Sequence, residues 1–95
     1  MSGDLAPSPA PHLAWAKGGH AEVVRVEGDA IVLRSTTSAP PGARLESTLT
    51  IEPRSVVKLK SHGTHKESDG TFTLKGRLID ATRELRDRLA GLAVR

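Results

Sequence analysis

The chain has no cysteine among its 95 residues. That excludes disulfides, thiolate nucleophiles and cysteine-ligated zinc, and it suits a reducing compartment. Aromatics are almost as scarce: there is no tyrosine, and Trp15 and Phe72 are the sole tryptophan and phenylalanine. Proteins that hold single-stranded nucleic acid stack its bases on aromatic side chains, so this chain is poorly equipped for that task. No run approaches the roughly 18 apolar residues of a membrane-spanning helix. The opening MSGDLAPSPAPHLAWAKGG carries an aspartate where a signal peptide has basic residues, and prolines 7, 9 and 11 interrupt any apolar stretch. These absences predict a cytoplasmic protein with no membrane insertion.

Charge of one sign is also limited. Fourteen basic residues oppose 11 acidic ones, a net charge of +3, well below the density of a dedicated nucleic-acid binder. Catalytic patterns are missing as well. No serine, histidine and aspartate stand in a recognisable motif, and Gly63 and Gly70 do not form a phosphate-cradling loop ahead of a helix. Glu67 and Asp69 fall in a turn, where water keeps carboxylates ordinary. His62 and His65 lack the further ligands that a zinc site needs. The expectation is a non-enzymatic protein with no metal and no cofactor.

What the sequence does contain is pattern. Val56 to Ile79 reads as a long β-hairpin, with Val57 and Leu59 on one face of the first arm and Lys58, Lys60 and His62 on the other. In the second arm Phe72, Leu74 and Leu78 oppose Thr71, Thr73, Lys75 and Arg77. One face is core and the other cationic. Gly63 and the Glu67–Gly70 run supply turn chemistry between the arms.

The rest of the chain arranges itself around this hairpin. Residues 1 to 19, rich in alanine, proline and glycine, read as a flexible leader. Within it Leu13 and Trp15 are spaced two apart; they read first as cover for an edge of the core, and second as an anchor for a partner. Ala21–Glu27 and Ala30–Ser35 read as strands joined by the turn Gly28-Asp29. Thr36 to Ala43 is punctuation around Pro40, Pro41 and Gly42. Leu45 to Glu52 alternates as a strand, with Leu45, Ser47, Leu49 and Ile51 on one face, and Pro53 ends it.

After Asp80 the period lengthens to about 3.6, with Leu85, Leu89 and Leu92 forming the apolar stripe of a terminal helix over residues 81 to 92. Asp80 or Thr82 caps it, and Arg83–Asp87 and Glu84–Arg88 are candidate supporting pairs. Short strands followed by one helix must hide their edges. The prediction is a mainly β fold: a small antiparallel barrel of five to six strands with a C-terminal α-helix, one domain over residues 20 to 95.

This order of signals resembles that of PilZ domains over about residues 21 to 92: strand, turn, a strand ending LRS, the loop PPGARLE, the alternating LTIE, a long hairpin and a terminal helix. The resemblance implies a bacterial signalling or motility protein. PilZ domains typically bind cyclic di-GMP through an RxxxR motif before the first strand and a D/NxSxxG motif around the first strand-turn. Here the pre-strand segment HLAWAKGGH offers only Lys17 and His20, and the turn reads RVEGDA, Arg25 to Ala30. An ammonium or imidazole does not reproduce the bidentate grip and stacking of guanidinium. The leading expectation is therefore an adaptor that binds another protein and not cyclic di-GMP at the usual site. Its candidate contact surfaces are the basic face Lys58, Lys60, His62, Lys75 and Arg77, the 62 to 70 loop and the terminal helix. Like charges gathered across a sheet call for acidic neighbours, Glu46 or Glu52, or for an anionic partner. Two alternatives stay open: a nucleotide sensor using Lys17, His20, Arg25 and Arg34, and weak nucleic-acid binding by the basic face. A homo-oligomer is also open.

Overall fold

A computed structural model describes residues 12 to 93 of the chain. Six strands and one helix follow in order: β1 (Leu13–Trp15), β2 (His20–Glu27), β3 (Ala30–Ser35), β4 (Arg44–Leu49), β5 (Val56–Lys66), β6 (Phe72–Ile79) and α1 (Arg83–Ala93). The strands close into a fully antiparallel barrel in the order β1-β2-β3-β6-β5-β4. Closure gives each of these six strands a neighbour on both sides, although the short β1 covers β2 only at His20 and Ala21, and this limits the backbone edge offered to other chains.

The expected leader is shorter than its composition suggested. Leu13 and Trp15 are 0% and 8% exposed, and β1 pairs with both β2 and β4, so this three-residue strand closes the barrel. The chain then turns back through Gly18 and Gly19, both at positive φ, and Gly19 has no room for a Cβ beside the Thr36 hydroxyl. Residues 1 to 11 of the leader lie outside the described residues.

Alternation decides which side chains enter the core. Ala21 and Val23 on β2, Ile31 and Leu33 on β3, Leu49 on β4, Val57 and Leu59 on β5, and Leu74 and Leu78 on β6 are all buried. A bulge between Val23 and Arg25 advances β2 by one residue; Val24 is left exposed while Val26 packs against the core. Gly28, at φ 62°, makes the expected tight turn, with Glu27 opposite Ala30.

Two elements differ from the sequence pattern. Strand β4 stops at Leu49, and Ile51 is 44% exposed, because residues 50 to 55 reverse the chain: the Leu49 amide already bonds the Ser55 carbonyl. Gly63 is not in the hairpin turn. It sits inside β5 at φ 126°, part of a bulge between Ser61 and Gly63, and the strand runs on to Lys66 before a short 67 to 71 loop.

Helix α1 begins at Arg83, two residues later than the periodicity indicated, and Thr82 caps it by accepting the Leu85 amide at 3.1 Å. Leu89 is buried, and Leu85, Leu92 and Ala93 pack against the core beside it. The helix closes the barrel end that holds the 28–29 turn and the 50 to 55 loop. Arg86 meets Asp29 at 3.0 Å, and Arg88 donates to the carbonyls of Pro53 and Ile51 at 2.8 and 3.3 Å. Among the described residues the expected pairs Arg83–Asp87 and Glu84–Arg88 are not formed; Arg88 is turned instead toward that loop.

Candidate functional site

The outer face of β4, β5 and β6 carries the expected cationic surface, and the register gives it an order that local pattern did not reveal. Arg44 on β4 stands directly opposite Lys60 on β5, and Lys60 stands directly opposite Arg77 on β6. All three are exposed. Directly opposed residues share a face with Cβ atoms about 5 Å apart, so three like charges form a row across three strands. Arg44 was not foreseen. It lies one residue ahead of the alternating stretch that began at Leu45, and only the pairing with β5 assigns it to the row.

The other members flank the row. Lys58 faces Glu46 across the strands, and this is the acidic neighbour that the sequence suggested. Lys75 lies opposite Gly63 on β5 and Val32 on β3. His62, exposed at the bulge, lines a shallow depression of about 430 Å³ together with Lys75, Arg77, Val32 and Asp29. The structure therefore brings the five predicted residues onto one face.

Compensation of this face is thin. The ion pairs among the described residues are Arg25–Glu27, Arg54–Glu52 and Arg86–Asp29. Glu52 is thus held by Arg54, and Asp29, the acid next to the row's β6 end, is held by the helix. Among the described residues none of Arg44, Lys60 and Arg77 has an ion-pair partner. Replacing the central cation should relieve the repulsion: Lys60→Glu is expected to raise stability by up to about 1 kcal/mol through two new opposite-charge neighbours. Thermal unfolding at low and high salt checks this, with the gain shrinking as salt screens it. A loss of stability would show that Lys60 has a structural partner on the barrel.

The alternative nucleotide set does not converge. Lys17 is on the β1–β2 turn, at the end of the barrel away from α1, whereas Arg25 is near the other end and is bonded to Glu27 at 2.7 Å. His20 and Arg34 share a shallow surface pocket, but Glu22 lines it too. Asp69 is close by: hydrogen bonds from the Thr71 hydroxyl and amide, with a smaller contribution from the Arg34 charge, hold its carboxyl below the usual range. Two carboxylates near Arg34 oppose a second anion there.

Of three buried hydroxyls, Ser47 stands on the face the sequence pattern assigned to the core, and Ser35 and Ser61 are the two that sequence reading passed over. Ser35, Ser47 and Ser61 are at most 1% exposed. Each occupies an inward position of its strand's alternation, the one signal that pointed to them. The Ser47 hydroxyl donates to the Val57 carbonyl at 3.0 Å, tying β4 to β5 from inside. The other two hold the β3–β4 loop.

No protein-family model, no curated protein and no solved structure matches the chain. No helix among the described residues is long and apolar enough to cross a membrane.

Proposed function

We propose that this protein is a non-enzymatic, PilZ-like adaptor of bacterial signalling or motility, acting in the cytoplasm, which docks an acidic surface of a partner protein on its β4–β5–β6 face. The observation that carries this reading is the cross-strand row Arg44, Lys60 and Arg77, exposed and without an ion-pair partner among the described residues. Such a row costs the isolated barrel some stability, and an anionic partner offsets that cost. A second copy of the chain is a poor occupant: in a two-fold dimer centred on the row, like charges would meet like. Nucleic acid is a poorer one, because the face has no exposed aromatic on which a base would stack. The Arg25–Glu27 pair in the segment RVEGDA supports a chain that does not use cyclic di-GMP at the usual place.

Amide chemical shifts of the ¹⁵N-labelled protein at near-physiological salt test this reading against both rivals. A glutamate-rich peptide is expected to shift Arg44, Lys60 and Arg77 and their strand neighbours, with affinity falling steeply as salt rises. A single-stranded oligonucleotide binding more tightly than the peptide would replace the reading by nucleic-acid binding. Saturable shifts with cyclic di-GMP around Arg25 to Ala30 would replace it by nucleotide sensing.

A further inference from the structure

The end of the barrel away from α1 holds a cavity of about 450 Å³, within the roughly 300–1,000 Å³ range of small-molecule sites. Its apolar walls are Trp15, Ala39, Leu45 and Leu74. At its rim stand Lys17, Arg44 and Glu46, a net charge of +1, and neither cation has an ion-pair partner among the described residues.

The wall is fixed from within by buried hydroxyls. Ser35 Oγ accepts the Trp15 indole N–H at 2.9 Å, accepts the Thr37 amide at 3.1 Å and donates to the Thr37 carbonyl at 2.8 Å. That uses the full capacity of a hydroxyl, one donor and two acceptors. Ser61 Oγ donates to the Ala39 carbonyl at 3.2 Å and accepts the Gly63 amide at 3.0 Å. The backbone of Ser61 also holds Gly42 and Ala43, at 2.7 Å each. An apolar side chain would fill either core position without any need for a partner, yet both serines bond the β3–β4 loop that forms part of the cavity wall, and Ser35 also bonds the indole beside it. Holding a wall in place before a ligand arrives removes the ordering cost from binding.

We infer that this cavity is a binding site for a small apolar molecule carrying a single anionic group, of the chemical class of a medium-chain carboxylate. The apolar body lies against the Trp15 ring and Leu74, and Lys17 and Arg44 hold the head. The site is at the end of the barrel opposite the 28–29 turn, so it is separate from the segment Arg25 to Ala30. It shares Arg44 with the docking row proposed above but rests on a separate observation, the cavity and its hydroxyl-braced wall.

The protein supplies its own probe. Trp15 is the sole tryptophan and there is no tyrosine, so intrinsic emission reports this wall alone. Octanoate, octanol and octyltrimethylammonium present one chain with three heads. Octanoate is expected to change Trp15 emission saturably, with a midpoint at least about tenfold below that of either analogue. The double variant Lys17→Glu/Arg44→Glu, altered only at exposed positions, should reverse the order of octanoate and octyltrimethylammonium. No saturable change with octanoate would overturn the proposal. So would equal midpoints for octanoate and octanol, or an unchanged preference in a double variant whose amide fingerprint shows the native fold.

Discussion

Replacing Trp15 by alanine is expected to remove about 3–5 kcal/mol of folding stability, the range for truncating a buried tryptophan. A domain of this size has about 5–15 kcal/mol in total, so much of the molecule's margin rests on one side chain in a three-residue strand. Three losses coincide. The indole leaves a void between β1 and its neighbours, the Ser35 hydroxyl loses its donor inside the core, and β1, which joins β2 to β4, loses one of its two buried anchors. Trp15→Phe narrows these effects, because it keeps a six-membered aromatic ring while removing the N–H and the rest of the bicycle; a loss of about 1–3 kcal/mol is expected, smaller than for alanine. Urea unfolding followed by far-ultraviolet circular dichroism reads both variants without relying on the tryptophan. A loss below about 1 kcal/mol for Trp15→Ala would mean that β1 does not close the barrel.

Gly76→Ala is expected to destabilise by about 1–3 kcal/mol, the cost of forcing atoms into a packed core. The sign is opposite to the usual benefit of replacing a flexible glycine in regular structure. Gly76 holds an inward position of β6 between Leu74 and Leu78, where alternation alone would call for an apolar side chain. A Cβ there would lie 2.8 Å from the Lys60 carbonyl oxygen and 3.0 Å from Leu59 Cδ1. The leucine end can yield, but the carbonyl belongs to the paired backbone of β5. The strands must therefore part at Lys60, next to the cationic row and the Ser61–Gly63 bulge. The contrasting substitution is Gly91→Ala, on the exposed side of α1 with nothing within 4 Å of the new methyl; it should stabilise by about 0.5–1 kcal/mol. Thermal unfolding of the two variants should move in opposite directions. A stabilised Gly76→Ala would mean that β5 and β6 are less closely packed than described.

Much of this architecture was legible because it is encoded locally. Val57 and Leu59 against Lys58 and Lys60, and Leu74 and Leu78 against Lys75 and Arg77, declare their faces through a period of two. Gly28-Asp29 declares its turn, and Leu85, Leu89 and Leu92 declare a helix. What escaped depends on residues far apart in sequence. A strand as short as Leu13–Trp15 contains barely one alternation, and the prolines and glycines around it mask even that. Its place is set by β2 and β4, on either side. Gly63 looked like a turn because glycine serves turns and bulges alike, and only the pairing of β5 with β6 distinguishes them. Arg44 joined the site through β5, and the nucleotide candidates Lys17 and Arg25 parted because eight residues of strand lie between the ends of β2. The serines at 35 and 61 carry no local signal beyond their inward positions; their partners lie in a loop whose path no local rule specifies.

The docking face is the central claim, and charge reversal tests it most directly. Reversing the whole row exchanges three like positive charges for three like negative ones, so the barrel should stay folded, without the gain expected for Lys60→Glu alone, and lose its partner. Wild-type protein and the variant Arg44→Glu/Lys60→Glu/Arg77→Glu would be immobilised side by side and exposed to nuclease-treated bacterial lysate, with retained proteins quantified by mass spectrometry. A control variant with Arg83→Glu, on the exposed surface of α1, carries a charge change away from the row. A discrete set of proteins with acidic surfaces should be held by the wild type and by the Arg83→Glu control, and lost from the triple variant although its circular dichroism shows the native fold. The same proteins retained equally by all three would contradict it.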